Sequence, residues 1–168
     1  MLGIGVVAAA RVPDRGIAVT VRAPDGELLA WVQLPGTTFA VGYRNSVYRT
    51  LAEERYEVHP DGSFEVVALA ADQVAVLEEY YAVPSRPLDA RPGDRLGYVA
   101  PPDPARPPVF DLLHIAATDL GERTLYVPGE DPVALWRLVE ENPTVILQIE
   151  ETHELAEPHD DSPGAQAR

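Results

Sequence analysis

The feature that most constrains this chain is an apolar period of two, broken at short intervals by turn residues. Ile17, Val19 and Val21 alternate with Ala18, Thr20 and Arg22. Phe39, Val41 and Tyr43 alternate with Ala40, Gly42 and Arg44. Glu54, Tyr56 and Val58 oppose Glu53, Arg55 and Glu57. An α-helix repeats near 3.6 residues and cannot sort side chains this way, whereas a strand does so automatically. The interruptions carry their own chemistry. Ala23-Pro24-Asp25-Gly26, Pro35-Gly36 and His59-Pro60-Asp61-Gly62 supply the fixed φ, the side-chain acceptor and the left-handed freedom that tight turns need. Further strands are read over 63–71, 109–117, 123–127 and 144–150, with a short edge strand over 96–100. The segment 74–83 is open to a strand or a short helix, and its neighbours favour a strand. Asp131-Pro132 resembles a helix start and Asn142-Pro143 a helix stop. The expectation is an all-β fold, a β-sandwich or open barrel of about nine short strands with one short C-terminal helix.

Domain organisation follows from where this pattern fails. Residues 84–108 hold eight prolines, which lack the amide donor a central strand requires, so this is a long loop. Residues 1–16 include nine consecutive apolar or small residues from Leu2 to Ala10. That is too short for a transmembrane helix, which needs about 20. It has the length of an export-signal core whose basic start would lie upstream, and equally of a first strand. The β domain spans 17–150. Residues 151–168 are rich in Glu and Asp with almost no large apolar side chains, the composition of a disordered acidic tail.

Composition enters mainly by exclusion. All 13 basic residues are arginine, against 27 acids, and cysteine is absent. Without lysine there is no Schiff base and no phosphate-loop lysine; without cysteine there is no thiolate nucleophile or Cys-held metal. A formal charge of −14 disfavours nucleic acid and anionic lipid, which need a basic surface. None of the serines sits in a Gly-x-Ser-x-Gly elbow, and there is no glycine-rich phosphate loop. These exclusions favour a binder over an enzyme, and no catalytic residue, metal site or cofactor is assigned.

One pair of strands invites a register. Setting Val41 against Val58 and Tyr43 against Tyr56 aligns their apolar faces and places Asn45 opposite Glu54, with Tyr48 to Leu51 as the loop. Tyr43, Asn45, Ser46, Glu54 and Tyr56 are then the candidate ligand-binding residues. They have two readings: a polar pocket at a hairpin end, or a buried Asn–Glu bond that fixes register. An enzyme of hydrolase or isomerase type would put its site at this same end. Glu53, Glu54 and Glu57 do not share a face, which speaks against a calcium site. His153, Glu154, Glu157, His159 and Asp160 lie in the tail, where nothing fixes a ligand geometry. Trp31 and Trp136 read as core aromatics.

The stretch Asn45-Ser46-Val47-Tyr48-Arg49-Thr50-Leu51-Ala52-Glu53-Glu54-Arg55-Tyr56-Glu57-Val58, preceded by Phe39-Ala40-Val41-Gly42-Tyr43, resembles the signature of the domain-of-unknown-function family 1850. The family's His is Asn45 here and its Pro is Leu51. Its Gly-Ala-Gly turn is missing before Pro84. The resemblance implies a small bacterial protein, extracytoplasmic or membrane-associated through an upstream N-terminus, encoded beside tripartite ATP-independent periplasmic transporters. A small molecule or a transporter component is the implied partner. A structural module that offers its acidic tail to a basic partner is the remaining alternative.

Overall fold

The computed structural model describes residues 16–105, 108–140 and 143–151. The apolar stretch before residue 16 and the acidic tail after 151, with its histidines, lie outside the described residues. Twelve strands are present among the described residues: β1 (Ile17–Arg22), β2 (Leu28–Leu34), β3 (Thr38–Arg44), β4 (Leu51–Val58), β5 (Phe64–Ala71), β6 (Leu88–Asp89), β7 (Tyr98–Ala100), β8 (Val109–Phe110), β9 (Leu112–Ala116), β10 (Thr124–Tyr126), β11 (Val133–Ala134) and β12 (Thr144–Glu151). They form two antiparallel sheets. The smaller runs β2-β1-β12-β9, and the larger runs β11-β10-β3-β4-β5-β7-β6 with β8 beside β5.

The sheets pack face to face through the alternation seen in the sequence. Val19, Val21, Val145 and Leu147 of the smaller sheet are fully buried in one cluster with Phe39, Val41, Tyr56 and Phe64 of the larger. Phe39 stacks on Tyr56 with ring centroids 4.9 Å apart, and Phe64 meets Phe39 edge-on at 5.3 Å. Such pairs add about 1 kcal/mol beyond the area they bury. The β-sandwich expectation is met. No helix among the described residues is long and apolar enough to cross a membrane.

Four expectations change. The β3–β4 register sets Phe39 against Tyr56, Val41 against Glu54 and Tyr43 against Ala52, so Asn45 is not opposite Glu54. The displacement is even, which keeps every side chain on its expected face. Its cause is Asn45, whose Oδ1 accepts the amides of Val47 and Tyr48, both at 3.0 Å. That cap takes the chain out of β3 early and lengthens the connection. Second, 131–140 is not an α-helix. Val133 and Ala134 pair with β10, and only one tight turn, Leu135–Arg137, follows. The open edge of β10 and burial of Leu135 outweigh the local capping signals. Third, 76–80 is a wide helical turn, closed by Tyr81 N–H donating to the Val76 carbonyl at 3.1 Å. Val76 and Leu77 are consecutive and both fully buried, which a strand with one buried face cannot achieve. Fourth, Trp31 is not a core residue. It pairs with the outward-facing Thr20 and is 47% exposed.

Candidate functional site

Three of the five residues singled out in the sequence meet inside the sandwich. Tyr56 Oη donates to Glu54 Oε2 at 2.6 Å, Tyr81 Oη donates to Glu54 Oε1 at 2.8 Å, and Tyr43 Oη donates to Tyr81 Oη at 2.8 Å. The Arg123 guanidinium lies over the Tyr43 ring, 4.5 Å from its centroid. Burial pushes the Tyr43 phenol up to about 12. Burial and the Glu54 charge hold Tyr56 and Tyr81 well above the ordinary phenol range. All three therefore stay protonated donors, and both Glu54 oxygens are engaged. This arrangement satisfies polar groups in a low-dielectric interior and fixes their geometry. Asn45 and Ser46 are elsewhere: Asn45 is buried as the loop cap, and Ser46 is exposed beside it. The turn supplies Tyr81, which periodicity in the sequence did not single out.

A serine, a histidine and an aspartate also come together in the turn after β4. Ser63 Oγ donates to Asp61 Oδ1 at 2.7 Å and lies 3.1 Å from His59 Nδ1. In a nucleophilic triad the hydroxyl proton goes to the histidine. Here it goes to the carboxylate, so the hydroxyl is not activated, and the cluster is a turn brace.

The more open site is on the outer face of the larger sheet. Glu53 points outward, yet it is only 2% exposed. Its Oε1 accepts from Arg55 Nε at 2.7 Å, and its Oε2 accepts from Arg95 Nε at 3.1 Å and Nη2 at 2.6 Å. Arg55 in turn donates from Nη1 to Asp94 Oδ2 at 2.9 Å and from Nη2 to Asp94 Oδ1 at 2.5 Å. Hydrogen bonds from Arg55 hold the Asp94 carboxyl below the usual carboxylate range, and those to Asp94 raise Arg55 further. Asp94 and Arg95 belong to the proline-rich excursion, which thus folds down onto the sheet. Arg95 also stacks over Tyr126, 4.2 Å from the ring centroid.

The sheet surface beneath is made of small residues. Glu53 lies abreast of Gly42 and Ala70, Arg55 abreast of Ala40 and Ala68. Tyr126 lies so close that a Cβ on Gly42 would sit 2.8 Å from its Cε2. The Arg95–Tyr126 pair divides the surface into two hollows. The larger, about 520 Å³, is walled by Glu53, Arg95, Glu122, Tyr126, Trp136 and Arg137. The smaller, about 260 Å³, is walled by Arg55, Asp94 and Pro128. Glu122 is bridged to Arg44 at 2.8 Å and has φ 45°, a left-handed backbone that costs a non-glycine residue about 1–2 kcal/mol. Strain of this kind concentrates at working sites.

Reading the sequence placed Glu53 and Arg55 on the face of their strand opposite Glu54, Tyr56 and Val58. The available signal was Glu53-x-Arg55 beside a strand of alternating small residues, Ala40 and Gly42. Asp94 and Arg95 could not be tied to it, because the excursion has no periodicity. What fold and site define together is an antiparallel β-sandwich with a polar cleft on the outside of one sheet. No family model matches this sequence, and comparison with curated proteins and with solved structures found no match.

Proposed function

We propose that this protein is a non-enzymatic binding module for a small organic acid, with the outer cleft of the larger sheet as its site. The observation that carries the reading is local charge. The walls of the two hollows and their ion-pair partners comprise Arg44, Arg55, Arg95 and Arg137 against Glu53, Asp94 and Glu122. One positive charge is left over in a chain of formal charge −14. Arg137 is exposed, and its guanidinium stacks on Trp136, 4.6 Å from the ring centroid. Its planar fork suits a carboxylate, and the indole beside it suits an apolar body. The inner Tyr–Glu network is less suited to binding, because its oxygens already bond one another. The resemblance to family 1850 supports an extracytoplasmic accessory role beside a tripartite transporter.

The test is thermal denaturation against a panel of mono- and dicarboxylic acids. A ligand at a hundredfold excess over its Kd raises Tm by roughly 5–10 °C for a chain of this size. Arg137→Ala removes the shift while leaving the unliganded Tm within a degree or two. A flat response to the whole panel, or an unaltered response in Arg137→Ala, overturns the assignment.

A further inference from the structure

The opposite flank of the sandwich carries a second, different surface. The outward residues of the smaller sheet stand in rows fixed by its register. Trp31, Thr20, Gln148 and Leu112 lie abreast across the four strands, and Gln33, Ala18 and Glu150 form the next row. Trp31 is 47% exposed. Beside it is a polar group with its geometry already set. Glu150 Oε1 accepts from Thr20 Oγ1 at 3.2 Å, from Arg22 Nε at 3.1 Å and Nη2 at 2.9 Å, and from Gln148 Nε2. Its Oε2 takes none of these donors. Gln33 Nε2 donates to the Ile17 carbonyl at 3.2 Å, which fixes its amide and leaves its Oε1 outside that bond.

We infer that this face binds a neutral saccharide of two or more residues, with one ring lying on Trp31. A pyranose has a patch of axial C–H bonds that an indole face covers, and a rim of hydroxyls. Those hydroxyls are held best by amides and carboxylates whose rotamers are already locked, because no side-chain entropy is then lost on binding. Trp31 supplies the first requirement; Gln33, Gln148 and Glu150 supply the second. The alternative occupant, another protein, fits less well. Interface cores are depleted in charged residues. Here Trp31 and Leu28 lie on one edge strand and Leu112 on the other, with Arg22, Thr20 and Gln148 on the strands between, three inter-strand spacings or about 14 Å. The saccharide is neutral because the charge on this face nearest Trp31, that of Glu150, is already paired with Arg22 at 2.9 Å.

The sequence has two tryptophans. In Trp136→Phe, emission reports Trp31 alone. Titration with neutral oligosaccharides of two to six glucose, mannose, galactose or N-acetylglucosamine units is expected to change that emission saturably with at least one series. Calorimetry with the same sugar is expected to show binding about tenfold weaker in Trp31→Ala and several-fold weaker in Gln148→Ala. Arg137→Ala, which tests the acid-binding cleft, leaves it unchanged, so the two sites fail or stand separately. Circular dichroism and Tm confirm that each variant is folded. The inference is overturned if no sugar in the panel alters emission, or if Trp31→Ala binds as well as the parent. It is also overturned if the emission change follows protein concentration and not sugar, which makes this face a contact between copies of the chain.

Discussion

Tyr43, Tyr56 and Tyr81 show how one carboxylate, Glu54, organises the space between two sheets. Each phenol is raised above the ordinary range, chiefly by burial. The native state therefore keeps protons that the unfolded chain releases above about pH 10. Between pH 10 and 12 the unfolded state binds fewer protons than the native one, so stability falls as pH rises. It is fully present below pH 10. Urea denaturation is expected to be level across neutral pH and to weaken steeply above pH 10, with the last part of the tyrosinate absorbance, that of these three buried phenols, appearing together with loss of near-ultraviolet circular dichroism. Tyr56→Phe leaves Glu54 short of one donor and is expected to destabilise by about 1–2 kcal/mol at pH 7.

At the scale of strands and turns, the faces of β1, β3 and β4 were legible in the sequence, because side-chain alternation leaves no choice. Phe39, Val41 and Tyr43 are buried as expected, and Tyr56 and Val58 with them. Register was not legible, because it depends on how Asn45 caps its own loop, an event of a few hydrogen bonds. Nor was the pairing at Val133, where a long-range partner outweighs a local helix signal. The outer cleft was legible only as fragments, since Glu53 and Arg95 are 42 positions apart. Gly42 joins fold to site: its missing side chain lets Tyr126 lie against β3. Gly42→Ala is expected to lower stability by about 1–3 kcal/mol through overpacking. It also displaces Tyr126 and Arg95, so acid binding measured by calorimetry is lost while circular dichroism stays that of a β-sandwich.

For the molecule as a whole, the proline-rich excursion behaves as a cover held by charge. Its anchors are Arg55 to Asp94 and Arg95 to Glu53, with Glu53 almost fully buried. Removing one partner of a buried ion pair leaves an uncompensated charge. Because Arg55 is partly exposed and Arg95 about half exposed, the effect is moderated by solvent. Arg55→Met is expected to lower stability by about 2 kcal/mol. It also loosens Asp94, so limited trypsin digestion cuts faster after Arg95, where Leu96 follows, while the strands survive. An unchanged digestion pattern would show that the cover is held by its own backbone and not by Arg55.

The register of β1 with β12 has a mechanical meaning. Ile17 lies directly abreast of Glu151 on a neighbouring antiparallel strand, so the two ends of the sandwich leave side by side. A pulling force applied through those ends loads the β1–β12 hydrogen bonds one at a time, as a zipper opens, and not together in shear. The same adjacency means that a few residues could join the ends and the chain be reopened at the exposed turn around Asp25 and Gly26, giving the same body a new order of strands.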